Sequence, residues 1–172
     1  MTIQTPISQL IRQGYFLGLV MLATSLTLSP FVMSVAQFWL IGIWIIDAIV
    51  NKDFKEKCSR FWHNKAAVLL VAFYLLHVIG LTYTSDFQYA TKDLRVKLPL
   101  LLLPFLFSST DPLDRKHFDL LMNIYVLSVF VATWFSFTAY LKHDYGDVRE
   151  ISHFISHIRF CLHIVFCMAI TA

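Results

Sequence analysis

One stretch decides the fold of this chain, YFLGLVMLATSLTLSPFVMSVAQFWLIGIWIIDAIV at residues 15–50. It is apolar almost throughout and is interrupted by Ser29-Pro30. A helix rises about 1.5 Å per residue and one membrane crossing takes about 20 residues, so the stretch fits two crossings better than one. Proline is tolerated at the first position of a helix, because its missing N–H would be unpaired there. The stretch therefore predicts a hairpin of two transmembrane helices, the second beginning at Pro30.

The composition of the whole chain agrees with a membrane protein. Of the 172 residues, 58% are apolar and 15% are charged, whereas soluble domains are about 45–50% apolar and about 25% charged. The net charge of +3 does not indicate nucleic-acid binding, because membrane-length segments separate the 14 Lys and Arg residues. The three cysteines have no CxxC spacing and predict no disulfide framework. A cleaved signal peptide is disfavoured, since no small-x-small cleavage site precedes Pro30.

Polar segments separate four further apolar stretches. We predict a third helix over 66–83, a fourth from Leu98 over LPLLLLPFLF, a fifth over 118–141 and a sixth from about Ile151. The fourth is short and carries two prolines, so it must borrow length from its flanks, thin the bilayer or be kinked. The predicted fold class is all-α, a polytopic transmembrane helix bundle of about six helices, the last truncated. Residues 1–172 are predicted to form a single transmembrane domain.

The basic residues orient this bundle. Residues 51–65 hold five Lys or Arg against two acidic residues, which makes this segment, and with it the N-terminus, cytoplasmic by the positive-inside rule. Asp47, near the end of the second helix, is expected to meet Lys52 or water. The topology leaves six basic residues on the outer side, and these need an explanation of their own: Lys92, Arg95, Lys97, Lys142, Arg149 and Arg159.

The segment after Asp86 predicts an interfacial helix. Arg95 and Lys97 flank its apolar stripe, so that their stems lie along the membrane while their charges reach the phosphate level. Two interpretations are open: these cations anchor the helix to ordinary lipid head groups, or they form a patch for a phosphorylated lipid substrate. The stripe itself is formed by residues with helical spacing: Phe87, Ala90, Leu94 and Leu98.

A polar stripe runs along the sixth helix. An arginine inside a membrane helix costs at least about 2.5 kcal/mol, so a functional role or a buried partner is expected. A metal site is disfavoured, because the stripe carries no carboxylate and Arg159 repels a dication. A phosphate or pyrophosphate suits Arg159, His163 and the neighbouring His157 better, since arginine donates bidentate hydrogen bonds. The alternative is that Arg159 lies at the interface and snorkels. The stripe consists of Ser152, Ser156, Arg159 and His163.

Two segments resemble the amino-terminal half of the bacterial O-antigen ligase/polymerase superfamily. They are LTYTSDFQYATKDLRVKLPLLLLPFLF, residues 81–107, and EISHFISHIRFCLHI, residues 150–164. The order of the early helices also agrees, although none of the strings is a strict catalytic motif. The resemblance rests on Tyr83-Thr84-Ser85, Lys92-Asp93-Leu94, Lys97-Leu98-Pro99 and Ser156-His157-Ile158-Arg159-Phe160.

The resemblance implies a glycosyltransferase of the bacterial inner membrane that acts in lipopolysaccharide biosynthesis without a metal or other cofactor. Such proteins transfer a glycan from undecaprenyl pyrophosphate at the periplasmic face. Ligases transfer it to the lipid A core, and polysaccharide polymerases to another glycan repeat. In the family, arginines hold the pyrophosphate and a histidine on a large periplasmic loop is thought to act as the base.

The family continues through further helices and that loop, whereas this sequence ends at Ala172. We therefore expect the amino-terminal part of a longer polytopic protein, inactive by itself and without assigned catalytic residues. A second hypothesis, of a different class, is a non-enzymatic transport or assembly subunit in which Arg159 and His163 pair with other helices.

Overall fold

A computed structural model describes residues 6–142 and 155–171 of the chain. In these two ranges there is no β-strand, and the all-α prediction is confirmed. The described residues form eight α-helices, with a short 3-10 helix, Leu81–Tyr83, after the fourth. The α-helices are α1 (Pro6–Leu28), α2 (Pro30–Asn51), α3 (Phe54–His63), α4 (Lys65–Gly80), α5 (Phe87–Lys97), α6 (Pro99–Ser109), α7 (Arg115–Lys142) and α8 (His157–Thr171).

Four of these helices are long and apolar enough to cross a membrane: α1, α2, α4 with its 3-10 extension, and α7. Their outer surfaces carry large apolar side chains, such as Phe31 at 77% and Leu69 at 72% exposure. A contiguous apolar surface of this kind is unfavourable in water but matches lipid chains. These helices support the assignment to the membrane proteins. About six spans were predicted, and the described residues contain four helices that could cross a membrane, so the predicted number is not confirmed.

The predicted hairpin at Pro30 is confirmed. The first helix ends at Leu28 and the second begins at Pro30, with Ser29 between them. The backbone hydrogen bonds continue across the junction, since Ser29 N donates to Ser25 O at 3.0 Å and Met33 N donates to Ser29 O at 3.1 Å. Proline at this position loses no helical hydrogen bond and forces no long loop.

The chain divides into two compact units, Met1–Ile11 with Leu40–Pro112 and Arg12–Trp39 with Leu113–Ala172. In the first unit α6 packs against α3 and α4. The Trp44 indole N–H donates to Ser109 Oγ at 2.8 Å, and Arg60 of α3 pairs with Asp111 just beyond α6. The end of α6 therefore lies beside α3 and the end of α2, so the chain has returned to the side from which α4 begins.

Two short helices, α5 and α6, lead the chain back to this side. With 11 residues, α6 measures about 16 Å and cannot cross about 30 Å of hydrocarbon alone. Helix α5 precedes it directly, and Leu98 joins the two in a right-handed helical conformation (φ −53°, ψ −34°). The predicted fourth span is therefore interrupted at Pro99, and α6 is not among the four described helices that are long enough to cross a membrane.

In the second unit α1 and α7 run parallel. Arg12 pairs with Asp114 near the start of both helices, and Thr27 Oγ1 lies 3.2 Å from Ser128 Oγ further along both. Because the contacts advance in the same direction on both helices, the helices point the same way. The predicted topology requires this of the first and fifth crossings, since three crossings lie between them. Which end faces the cytoplasm remains a prediction.

The parallel packing predicts a specific cross-link. With the native cysteines replaced by alanine, Thr27→Cys and Ser128→Cys should form a disulfide upon mild oxidation, because the two hydroxyl groups are in contact. The control pairs Thr27→Cys with Ser136→Cys, which lies about 12 Å further along α7 and beyond the reach of a disulfide. The readout is the mobility shift on non-reducing gels, and cross-linking of the control pair with equal efficiency would contradict the parallel register.

The sixth predicted helix begins later than its pattern indicated. Ile155 and Ser156 are not helical, and α8 begins at His157. Ser156 O accepts the first helical hydrogen bond from Phe160 N at 3.0 Å, so Ser156 is the N-cap, a position that serine favours. The predicted start at Ile151, and Ser152 of the stripe, lie outside the described residues.

Candidate functional site

Arg159 is the one Lys, Arg, Asp or Glu in the sequence of α8, HIRFCLHIVFCMAIT. Its side chain is exposed. Arg12 and Arg60 each pair with a carboxylate, whereas no ion pair to Arg159 occurs within the described ranges. Its guanidinium donors are therefore available to an anion from outside the described residues.

His163 of α8 contacts α7. The hydroxyl of Tyr125 lies 2.6 Å from Nδ1 of His163, and Tyr125 also makes an edge contact with Phe166, with ring centroids 5.8 Å apart. Tyr125 is 4% and Cys167 is 9% exposed. This bond occupies one ring nitrogen of His163, so that Nε2 remains the nitrogen for a second contact.

The contact with Tyr125 also shows where the polar stripe lies along α7. Tyr125 is about 15 Å from the start of α7 at Arg115 and about 26 Å from its end. Arg159 is about 6 Å along α8 from His163, and so lies level with the apolar part of α7. His163 contacts α7 slightly nearer to Arg115 than to Lys142, and the opening of the stripe toward the outer face stays a prediction.

The three predicted residues of α8 do not share one face. Arg159 and His163 are four residues apart and lie on one side of the helix, whereas His157, two residues before Arg159, points away from it. His157 is exposed in the first turn. The structure thus groups Arg159, His163 and Tyr125. Tyr125 was not singled out from the sequence, because a tyrosine within an apolar span gives no signal of its partner.

The segment that was predicted to form an interfacial helix is helical and forms α5. Asp86 caps it by accepting a hydrogen bond from Tyr89 N at 3.0 Å, which satisfies one of the unpaired N–H groups of the first turn. Arg95 is exposed, while Lys97 pairs with Asp93 at 2.7 Å. Arg95 and Lys97 are two residues apart and face different sides, so the helix presents them separately.

Lys97 lies at the edge of a shallow groove of about 370 Å³. The groove follows the junction of α5 and α6, where the side chain of Lys97 meets the apolar surface of α6. A cation beside an apolar groove suits a ligand that carries both a phosphate and a lipid chain. The groove is lined by Val96, Lys97, Pro99, Leu100, Leu103 and Pro104.

A buried ion cluster lies where α2 ends and α3 begins. The Lys57 ammonium lies 2.6 Å from Asp47 Oδ2 and 3.1 Å from Asp53 Oδ2, and the Lys57 side chain is 4% exposed. Asn51 Nδ2 donates to Asp47 Oδ1 at 2.7 Å. Asp47 was expected to meet Lys52 or water, but Lys52 has φ +53° and is exposed, and the turn that it forms brings Lys57 to Asp47 instead.

The cluster shifts the protonation equilibrium of its lysine. Burial lowers the pKa of Lys57, but its hydrogen bonds to Asp47 and Asp53 outweigh this and raise the pKa above its ordinary value of 10.5. The signal in the sequence was a lysine four residues before Phe61, on the face of α3 that is buried. A segment rich in charge gave no reason to select one lysine as internal.

Metal binding has no support from the described part of the chain, where no three His, Cys, Asp or Glu residues are grouped to hold an ion. Comparison of the chain with protein-family models, with curated proteins and with solved structures gives no match.

Proposed function

We propose that the protein, in its complete form, is an O-antigen ligase-like membrane protein of the bacterial inner membrane, transferring a glycan from undecaprenyl pyrophosphate to the lipid A core at the periplasmic face. One observation carries the proposal: Arg159 lies in an apolar helix without a carboxylate partner among the described residues. An arginine without a carboxylate partner is costly in an apolar helix that lies within a membrane, and a bound anion offsets the cost. The resemblance in residues 81–107 and 150–164 supports the same reading.

The proposed chemistry of α8 is charge neutralisation and positioning. Arg159 would hold the pyrophosphate by bidentate hydrogen bonds, with His163 on the same face as a further donor through Nε2. The bond between Tyr125 and His163 keeps the imidazole in one orientation. Neutralising the charge of a pyrophosphate leaving group lowers the barrier to transfer without the protein forming a covalent bond. His157, in the first turn of α8, lies on the other side of the helix from Arg159 and is given no contact with the pyrophosphate in this proposal.

The helix α5 supplies a second, separate contact with phosphorylated lipid. Arg95 is exposed, and Lys97 borders the groove along α6. We propose that the groove accepts part of a lipid chain while Lys97 binds its phosphate, and that Arg95, on another side of α5, contacts a separate lipid phosphate.

We consider two alternative functions. A polysaccharide polymerase would use the same donor, and differs in the acceptor. A non-enzymatic transport or assembly subunit is favoured by the bond between Tyr125 and His163, since hydrogen bonds between membrane helices also serve packing alone.

The test is binding of undecaprenyl pyrophosphate to the purified chain in lipid nanodiscs, measured by competition with a fluorescent analogue. Saturable binding that inorganic pyrophosphate weakens supports the proposal, and absence of binding contradicts it. For the complete protein, supplying the glycan-loaded donor with lipid A core separates ligase from polymerase, because the ligase product carries the core and the polymerase product is a longer glycan. Formation of neither product, with binding retained, favours the transport or assembly function.

A further inference from the structure

One side of α3, the helix between α2 and α4, is buried, and the opposite side faces outward. Lys57 and Phe61, one turn apart on α3, are buried at 3% and 7% exposure. Phe61 contacts Phe105 of α6, with ring centroids 5.2 Å apart. Because these two side chains face the bundle, the opposite side of α3, with Lys55 and Trp62, faces outward.

The acidic groups around α3 are already used in ion pairs. Two cations, Lys57 and Arg60, pair with all four neighbouring carboxylates: Asp47, Asp53, Glu56 and Asp111. Lys52, Lys55 and Lys65 are exposed, and no ion pair to them occurs in the described ranges. The outward side is therefore cationic, with its carboxylates engaged elsewhere.

The backbone conformation of Lys52 is a second observation on this cationic side. Lys52 is the non-glycine residue with positive φ, +53°, in the described backbone, directly after α2. Glycine or asparagine would take this conformation more easily, because the side chain of an L-residue is crowded there. The turn at Lys52 places an exposed cation directly after α2.

Aromatic side chains lie next to these lysines. Trp62 is 70% and Phe54 is 56% exposed, on a helix whose ends connect to two candidate membrane spans. Tryptophan favours the head-group level of a bilayer, and clustered lysines beside a membrane helix attract anionic lipids.

We propose that Lys55 of α3 and the flanking Lys52 and Lys65 form a binding surface for anionic phospholipid head groups, with Trp62 inserted beside them. The surface lies at the membrane face where α2 ends and α4 begins, and it does not depend on the proposed glycan transfer. Lipid phosphates would neutralise the three lysines, which anchors the α2–α4 connection to that leaflet.

The test measures which lipid contacts Trp62. The protein is reconstituted in vesicles of phosphatidylcholine with 30% phosphatidylglycerol, and either lipid carries brominated chains that quench tryptophan. The contribution of Trp62 to the quenched fluorescence is obtained by comparing wild-type protein with the variant Trp62→Phe. We expect wild-type protein to prefer phosphatidylglycerol by at least about fivefold, the effect of one lysine near a charged surface, and to lose much of this in 0.5 M salt.

Lys52→Gln/Lys55→Gln/Lys65→Gln should abolish the preference, whereas Lys92→Gln/Arg115→Gln/Lys116→Gln, which removes three exposed cations elsewhere, should retain it. If the first triple variant does not fold, Lys55→Gln alone should show a partial loss. An equal loss in both triple variants indicates attraction by overall charge and overturns the proposal, as does an absent preference in wild-type protein. Displacement of the lipid by a polyglutamate peptide overturns it in favour of an acidic protein partner.

Discussion

Replacing Lys57 with methionine should lower the free energy of unfolding by about 3 kcal/mol, because the change leaves two carboxylates, Asp47 and Asp53, without their cation. Both acids are partly shielded, with side chains 22% and 26% exposed, so water compensates only in part. The measurement is unfolding by SDS in mixed micelles, followed by circular dichroism.

The matched control is Lys55→Met, an exposed lysine on the same helix, for which we expect a change within about 0.5 kcal/mol. Adding Asp47→Asn and Asp53→Asn to Lys57→Met should restore part of the lost stability, since no unpaired charge then remains. A loss in Lys55→Met equal to that in Lys57→Met would show that the buried ion cluster is not the cause.

The contribution of Lys57 should also depend on pH. Its pKa in the folded state is raised above 10.5, so the folded protein holds the proton more tightly than the unfolded chain. The stabilisation is therefore complete below pH 10.5 and is lost as the pH rises through the higher folded pKa. The stability difference between wild-type protein and Lys57→Met should narrow over this range, and a constant difference up to pH 11.5 would contradict the assignment.

Replacing Arg159 with alanine should weaken binding of undecaprenyl pyrophosphate by about tenfold or more, because a hydrogen bond to a charged group contributes about 1.5–3 kcal/mol. It should also slow glycan transfer by the complete protein by about 100-fold or more. The estimate follows from the loss of preorganised donors to a developing charge, which costs about 10²–10³ in rate. Arg159→Lys keeps the charge but loses the bidentate geometry, so an intermediate loss of about tenfold in the rate of transfer is expected.

Arg115→Ala is the matched control, because Arg115 is also exposed but belongs to the first turn of α7. It should bind the donor like wild-type protein. If Arg159→Ala instead binds normally and unfolds more easily, then Arg159 serves helix packing and the non-enzymatic alternative gains support. Tyr125→Phe separates the two roles of His163, since loss of the bond at 2.6 Å should reduce stability by about 0.6 kcal/mol, the average for such bonds between membrane helices.

The helices that cross the membrane alone were predictable, and those that depend on neighbours were not. The break at Pro30 and the spans at α4 and α7 follow from length and hydropathy, which are local properties. The segment 51–65 was predicted as a loop, yet it contains α3, because its helix is stabilised by burying Lys57 and Phe61. The sequence also showed that the apolar stretch from Leu98 is too short to cross a membrane alone, but not that α5 would end directly before it.

The candidate site divides in a similar way. The sequence singled out Arg159, His163, His157, Arg95 and Lys97 by charge and spacing, and their placement on α5 and α8 followed from helical periodicity. Three features could be recognised only from the side-chain positions and from the residue at which α8 begins. Lys97 pairs with Asp93, His163 is hydrogen-bonded to Tyr125, and His157 points away from Arg159.

By itself, the sequence determined that this is an all-helical chain with apolar spans, because burial of apolar surface and the helical repeat are properties of short stretches of residues. Only the tertiary structure decided which charges meet. The pairing of Asp47 with Lys57 and the parallel course of α1 and α7 join residues distant in sequence. The energies of such contacts depend on distance and desolvation, which arise only once the helices are packed.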